Sequence, residues 1–123
     1  MAHRGYRDRV IDSLVLTLDV TDLDLQTAFW SGVFGYQVVG GGGPYRGLGT
    51  EAGGRAKFLL QLVPEPKSAK NRLHVDLHVA DIDEHLARVV GLGATHVRTV
   101  DEYDLRWHVM LDPEGNEFCI CPS

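Results

Sequence analysis

LHVDLHVAD, residues 73–81, is the stretch whose reading decides the fold. Side chains alternate across a β-strand, so residues two apart share a face. Leu73, Val75, Leu77 and Val79 make one apolar face, and His74, Asp76 and His78 make the other. Asp81 then has the side chain of a helix cap, and Ile82, Leu86, Val89 and Val90 recur at helical spacing until Gly91 and Gly93 end the run. A row of titratable groups opposite a good apolar face is either a solvated surface or the lining of a cavity.

The same order stands earlier in the chain. Residues 14–20, LVLTLDV, alternate with Leu14, Leu16, Leu18 and Val20 on one face and Val15, Thr17 and Asp19 on the other. Thr21 or Asp22 can cap a helix running to about Val33, with Leu25, Ala28, Phe29 and Trp30 at helical spacing and Gly35 suited to its end. Strands are expected over 36–39, 45–50 and 56–63, with the glycines at 40–43 and Pro44 as a flexible hairpin or loop. Residues 64–71, PEPKSAKN, read as a linker. After the second helix, strands are expected over 95–100, 106–111 and 117–121, with the DPEG of 112–115 as a turn.

VTDLDLQTA from Val20 matches VADIDEHLA from Val79 at an offset of 59. FGYQVV and LGATHV align through Gly35 and Gly93 at an offset of 58, as do LQLVP and FCICP through Gln61 and Cys119. Strand, helix, strand, strand, strand thus occurs twice. One copy alone would expose a sheet face and a sheet edge. The expected fold is α+β: two tandem βαβββ modules, about 12–64 and about 72–122, in a single domain of residues 1–123. They form a curved, mostly antiparallel sheet around a cavity, with the helices outside.

Net charge is −5 with Lys and Arg scattered, which argues against a nucleic-acid surface. No stretch is long and apolar enough to span a membrane. MAHRGYRDRV lacks the apolar core of a signal peptide, so the expectation is a cytoplasmic protein. Residues 1–11, with His3, are expected to form a loose arm. In a reducing cytoplasm Cys119 and Cys121 are expected to be thiols.

V-x-D-[LI] at the end of a strand, FW in the first helix, LGA after the second and the closing DPEGNEF together resemble the vicinal oxygen chelate superfamily. That group includes glyoxalase I, extradiol dioxygenases and bleomycin-resistance proteins. VPEPKSAKNRLHVDLHVAD is similar to its bacterial glyoxalase-like branch, and the resemblance covers nearly the whole chain after residue 12. It implies a homodimer, symmetric dimers also being the commonest oligomers. It further implies a divalent metal held from the first and last strands of each module, which here puts Val15, Gln61, His74 and Cys119 in the ligand positions. Only His74 is the usual ligand type. Val15 cannot ligate, Gln61 offers a carbonyl oxygen in place of a carboxylate, and a Cys119 thiolate favours a soft metal over Mg²⁺ or Mn²⁺. No stoichiometric, tightly bound Ni²⁺, Fe²⁺ or Zn²⁺ is therefore expected.

The residues themselves leave alternatives. His74 and His78 stand roughly 13 Å apart along an extended strand and cannot share one ion. His74 with Gln61 and Cys119 is one metal reading, and hydrogen-bonded cavity residues without metal are the other. Without metal, His74 can still act as a catalytic base or hydrogen-bond an anion. Asp76 reads as too distant along the strand to orient it, and His78 as a polar partner of Asp76 or Asp19. Trp107 and Tyr103 offer an aromatic wall, against plain core packing for Trp107. Cys119 is a nucleophile only if His74 approaches it in space; otherwise it is a small buried thiol. His85 and His96 read as surface residues. The glycine run lacks the Gly-Lys-Ser/Thr of a phosphate loop, and no Gly-x-Ser-x-Gly or zinc-protease motif is present.

The expected site is a concave-face pocket lined by Thr17, Gln61, His74, Asp76 and Cys119, with Trp107 as a wall. Two functions fit it. One is a binding protein with a degenerate metal site that sequesters a small polar or aromatic compound. The other is a lyase, isomerase or dioxygenase using His74, with or without a divalent metal.

Overall fold

The computed structural model describes residues 10–123. Most of the arm expected over 1–11, including His3, lies outside the described residues; Val10 and Ile11 are exposed. The elements are β1 (Leu16–Val20), α1 (Leu23–Phe34), β2 (Gln37–Gly42), β3 (Tyr45–Gly49) and β4 (Phe58–Leu62), then β5 (Val75–Val79), α2 (Ile82–Leu92), β6 (Thr95–Glu102), β7 (Leu105–Leu111) and β8 (Glu117–Pro122). They form two four-stranded sheets of the same order, β1-β4-β3-β2 and β5-β8-β7-β6. In each, the first strand runs parallel to the last, and the other pairings are antiparallel. β1 and β5 thus occupy corresponding places in two βαβββ modules. Among the described residues no helix is long and apolar enough to cross a membrane.

Each helix begins where a carboxylate can take the free backbone N–H groups. Asp22 accepts from Leu25 N, and Asp81 accepts from Asp83 N and Glu84 N. Gly35 ends α1 at φ 71°, a left-handed conformation that favours glycine. The buried face of α1 carries Gln26, Phe29 and Trp30, while Leu25, expected on that face, is half exposed. Trp30 stacks on Phe34 and Phe58 and meets Phe29 and Phe118 edge-on, so one side chain joins the cores of both modules.

Gln26 replaces Leu25 because it has a buried partner. Asp112 is 3 % exposed, and its Oδ2 accepts from Gln26 Nε2 (2.7 Å), Trp30 Nε1 (3.1 Å) and Asn116 Nδ2 (2.9 Å). Its Oδ1 takes the backbone N–H groups of Glu114 and Asn116, closing the expected DPEG turn. Glu114, in the same turn, accepts from Thr21 N, Thr21 Oγ1 and Asp22 N. One short turn of module two therefore holds the first helix of module one from two sides.

Two details differ from the sequence expectation. Of the hairpin or loop expected at the glycine run, the hairpin forms, and β2 runs on through it to Gly42 instead of ending at Val39: Gly40, Gly41 and Gly42 are paired strand residues opposite Gly47, Arg46 and Tyr45. A Cβ on Gly41, at φ 116°, would stand 2.5 Å from the Tyr45 carbonyl oxygen, so glycine is required there for the strands to meet. The repeat also has another register. β1 pairs Leu16 with Phe58 and β5 pairs Val75 with Phe118. Phe58 is therefore the counterpart of Phe118, Leu59 of Cys119, and Gln61 of Cys121 rather than of Cys119. Alignment through Pro64 and Pro122 slips the strands by two residues, and a slip of two leaves every side chain on its own face.

Each module carries a β-bulge at the same place. The pairing skips Val39 in β2 and Val97 in β6, the latter between His96 opposite Met110 and Arg98 opposite Val109.

Candidate functional site

The helix-facing residues of the second sheet are Val75, Leu77, Met110, Phe118 and Ile120, all in or against the core. Alternation turns Asp76, Cys119 and Val109 to the other side. They are direct neighbours, Asp76 opposite Cys119 and Cys119 opposite Val109, and Val109 is opposite Arg98. A single row, Asp76–Cys119–Val109–Arg98, thus crosses the sheet. It forms part of a cavity of about 790 Å³, within the range of small-molecule sites. His74, Trp107, Leu111, Glu117 and Cys121 also line it, together with Lys67 to Lys70 of the linker.

His74 lies just before β5, and its Nδ1 sits 3.1 Å from Asp76 Oδ1. Asp76 is therefore its partner after all, because residues two apart on one face come together when the first is released from the strand. The contact fixes Nδ1 and, among the described residues, leaves Nε2 without a hydrogen-bond partner. Cys119 completes a cluster in which one donor atom from each of His74, Asp76 and Cys119 lies within 4.8 Å of the others. Burial pushes the Cys119 thiol up to about 11, with the Asp76 carboxylate adding to the shift, so the thiol is protonated at neutral pH. That disfavours the nucleophile reading.

Glu117 is a second carboxylate in the cavity lining. Lys67 Nζ donates to it at 2.9 Å and Asn71 N at 2.9 Å. Burial pushes its carboxyl up, but these bonds and one from its own backbone N–H outweigh that and leave it below the usual range.

Of the expected site residues, the structure brings His74, Asp76, Trp107 and Cys119 together. Thr17 and Gln61 belong to the first sheet. Thr17 borders two other clefts, and Gln61, on the same face as Asp19 two strand positions on, does not line the cavity. Trp107 is half-buried and forms part of the wall. Tyr103 does not: it is 89 % exposed, and with Asp104 it makes the two-residue β6–β7 turn, both at positive φ. His78 bonds neither Asp76 nor Asp19, and its Nδ1 lies 3.0 Å from the Pro122 carbonyl.

His108 was not singled out in the sequence, yet it is 1 % exposed and bonded at both nitrogens. Its Nε2 lies 2.9 Å from Asp83 Oδ1, and its Nδ1 lies 2.8 Å from Thr99 Oγ1, which also meets His96 Nε2 at 3.0 Å. A carboxylate only accepts, so Nε2 carries the proton. Bonds from His108 and then Arg106 hold the Asp83 carboxyl below its usual value. The group faces α2, not the cavity. Its counterpart in module one is Arg46 reaching Asp24 in the first turn of α1. A polar residue between Trp107 and Val109 was the available signal.

A divalent metal in this fold would draw on the cluster. One imidazole nitrogen, one carboxylate oxygen and one sulfur within 4.8 Å suit an ion that accepts thiolate, such as Zn²⁺. They do not make the all-hard set suited to Mn²⁺, and Gln61 is not among them.

The family model for the glyoxalase-like domain matches residues 15–121. No curated protein sequence matches the chain. Among solved structures, a glyoxalase/bleomycin resistance protein/dioxygenase family enzyme from Burkholderia phytofirmans superposes with a TM-score of 0.71 at 22% identity, covering 86% of this chain and 94% of that one. The fosfomycin resistance protein FosX from Listeria monocytogenes, in complex with Mn(II) and a sulfate ion, gives 0.72 at 17% identity, covering 93% and 94%. A glyoxalase-related enzyme from Fulvimarina pelagi gives 0.70 at 16%, covering 92% and 89%. At these identities the likeness is one of fold.

Proposed function

Since this chain belongs to the glyoxalase-like domain family of the vicinal oxygen chelate superfamily, we propose that it is a small-molecule-binding protein whose ligand, a small polar or aromatic compound, lies over the second sheet. The observation that carries this reading is the convergence of His74, Asp76 and Cys119 beside the Trp107 wall in one cavity of ligand size. His74 is its centre, as the side chain that meets Asp76 and closes the cluster with Cys119. The metal site is degenerate relative to the superfamily pattern, with Cys119 in place of a carboxylate. A thermal-shift ligand screen, repeated on His74→Ala, tests the reading. A cavity ligand should shift the parent and shift the variant much less. Equal shifts would make His74 purely structural.

One observation favours a second reading as a lyase or isomerase. Asp76 fixes Nδ1 of His74, so the free Nε2 is placed to take a proton from a bound carbon acid. Solvent-proton exchange into a bound carbonyl compound, lost in His74→Ala, would separate catalysis from sequestration.

We also propose a cytoplasmic homodimer. The cavity is open and built from module two and the linker alone, while Thr17 and Gln61 stand on the sheet of module one. A symmetric dimer would cover the open face with a second copy. Light scattering giving a monomer at micromolar concentration would count against it.

A further inference from the structure

The cavity lining is asymmetric in charge. Lys67, Lys70 and Arg98 face Asp76 and Glu117. Lys67 is paired with Glu117, and Asp76 is paired with His74. Among the described residues neither Lys70 nor Arg98 makes an ion pair. With His74 neutral, the lining carries one net positive charge in a chain whose net charge is −5.

Arg98 reaches the cavity by an irregularity of the backbone. Val97 and Arg98 are consecutive, yet both line it. Regular alternation would send one of them to the opposite face. The bulge at Val97 breaks the alternation and re-aims Arg98 into the central row. The row is then ordered by chemistry: imidazole, carboxylate and thiol at the β5–β8 end, Val109 between, and a guanidinium on β6. Strand spacing of about 4.8 Å puts its ends roughly 14 Å apart at the backbone, the span of a small ring compound and its substituents.

Module one supplies an internal control. Its bulge stands at the same place, and its corresponding row runs Thr17–Leu59–Gly47–Gly40. Glycine occupies the counterpart of Arg98, and the row holds no charged residue. The duplicated backbone therefore does not require an arginine after the bulge.

We propose that Arg98 is the anion-recognition residue of this cavity, and that the ligand is an oxyanion, carboxylate or phosphonate, carried on a flat apolar body. The planar guanidinium fork matches an oxyanion through two parallel N–H···O bonds. Val97, Val109, Leu111 and Trp107 take the apolar body, and Lys70 adds a second cation from the linker. Bound this way, the ligand directs its far end at the His74 Nε2 side of the cavity. The inference rests on the reading of this cavity as the ligand site.

The test uses the protein's own fluorescence. The chain has two tryptophans; Trp30 is 2 % exposed in the core and Trp107 lines the cavity. The probes are benzoate, phenylphosphonate, benzyl alcohol and benzylamine, titrated into the parent, Arg98→Met, Arg98→Lys and Trp107→Phe. At least one anion should bind the parent at least about tenfold more tightly than the alcohol and the amine, and Arg98→Met should reduce that preference to about twofold or less. Arg98→Lys keeps the charge without the fork, so it should retain part of the preference, and added salt should weaken the anion arm. Which of benzoate and phenylphosphonate binds more tightly identifies the oxyanion. The signal should vanish in Trp107→Phe; a signal that survives there would place binding elsewhere and overturn the proposal. Binding of the alcohol or amine as tight as that of both anions, or an anion preference unchanged in Arg98→Met, would overturn the assignment of Arg98 and leave the cavity as a ligand site. No response to any probe at millimolar concentration would overturn both.

Discussion

Replacing Asp112 with alanine removes the acceptor on which the two modules converge. Three buried side-chain donors lose their partner: Gln26 Nε2, Trp30 Nε1 and Asn116 Nδ2. The backbone N–H groups of Glu114 and Asn116, in and just after the DPEG turn, lose theirs as well. A buried donor left unpaired costs about 1–3 kcal/mol. The three side chains share one acceptor, so their losses are not additive, and a water entering the vacated space would recover part. The expected destabilisation is about 3–5 kcal/mol, a large fraction of the roughly 5–15 kcal/mol typical of a domain. Urea unfolding followed by circular dichroism and by fluorescence of the buried Trp30 measures it. Asp112→Asn keeps the shape and one oxygen, and should cost less. The parent should unfold in one transition, as expected of a single domain. A loss below about 1 kcal/mol in Asp112→Ala would refute the reasoning, because three unpaired buried donors cannot be that cheap.

With the Cys119 thiol up at about 11 against an ordinary 9.0, its alkylation by iodoacetamide at pH 8 should be about 100-fold slower than that of a free cysteine, as mass spectrometry of the digested product can show. The same shift favours the protonated folded state, so its contribution to stability is present below pH 9 and is lost as pH rises through 11. Zn²⁺ titration should give an affinity that rises about tenfold per pH unit below that value, because ligation must release the thiol proton, and that falls sharply in His74→Ala or Cys119→Ser. Asp83 titrates below its usual value, so its contribution is present above the ordinary carboxylate pKa and is lost as pH falls through the folded one. Asp83→Asn should therefore flatten the acid limb of a stability–pH curve, and an unchanged limb would remove Asp83 from the account.

How much of this was legible in advance can be followed residue by residue. The apolar and polar faces of residues 75–79, the caps Asp22 and Asp81, the DPEG turn and the doubled βαβββ order are local patterns of alternation, helical spacing and side-chain acceptors, whereas Leu73, expected on the apolar face, is 75 % exposed ahead of β5. They stand in the chain whatever it packs against. His74, Asp76 and Cys119 were legible as neighbours on one face for that reason, since alternation sorts them away from the helices. The contact between His74 and Asp76 was not, because it depends on β5 beginning only at Val75. Gln26 read as a polar residue between apolar neighbours, and nothing local shows that Asp112 arrives to meet it.

What the amino-acid sequence by itself determined is therefore the order of the elements and, where alternation is regular, the face each side chain takes. Register, partner and enclosure came only from the tertiary structure. Period-two alternation is unchanged by a shift of two residues, so only the pairing of Phe58 and Phe118 with their first strands showed that Gln61 corresponds to Cys121. A bulge has no reliable signature in an alternating pattern, so Arg98 entered the cavity only when strand pairing skipped Val97. Thr17 and Gln61 carry the right face but belong to the other sheet, and which faces close on one space is set by how whole sheets pack through Trp30, Phe118 and Asp112, contacts between residues more than 80 positions apart.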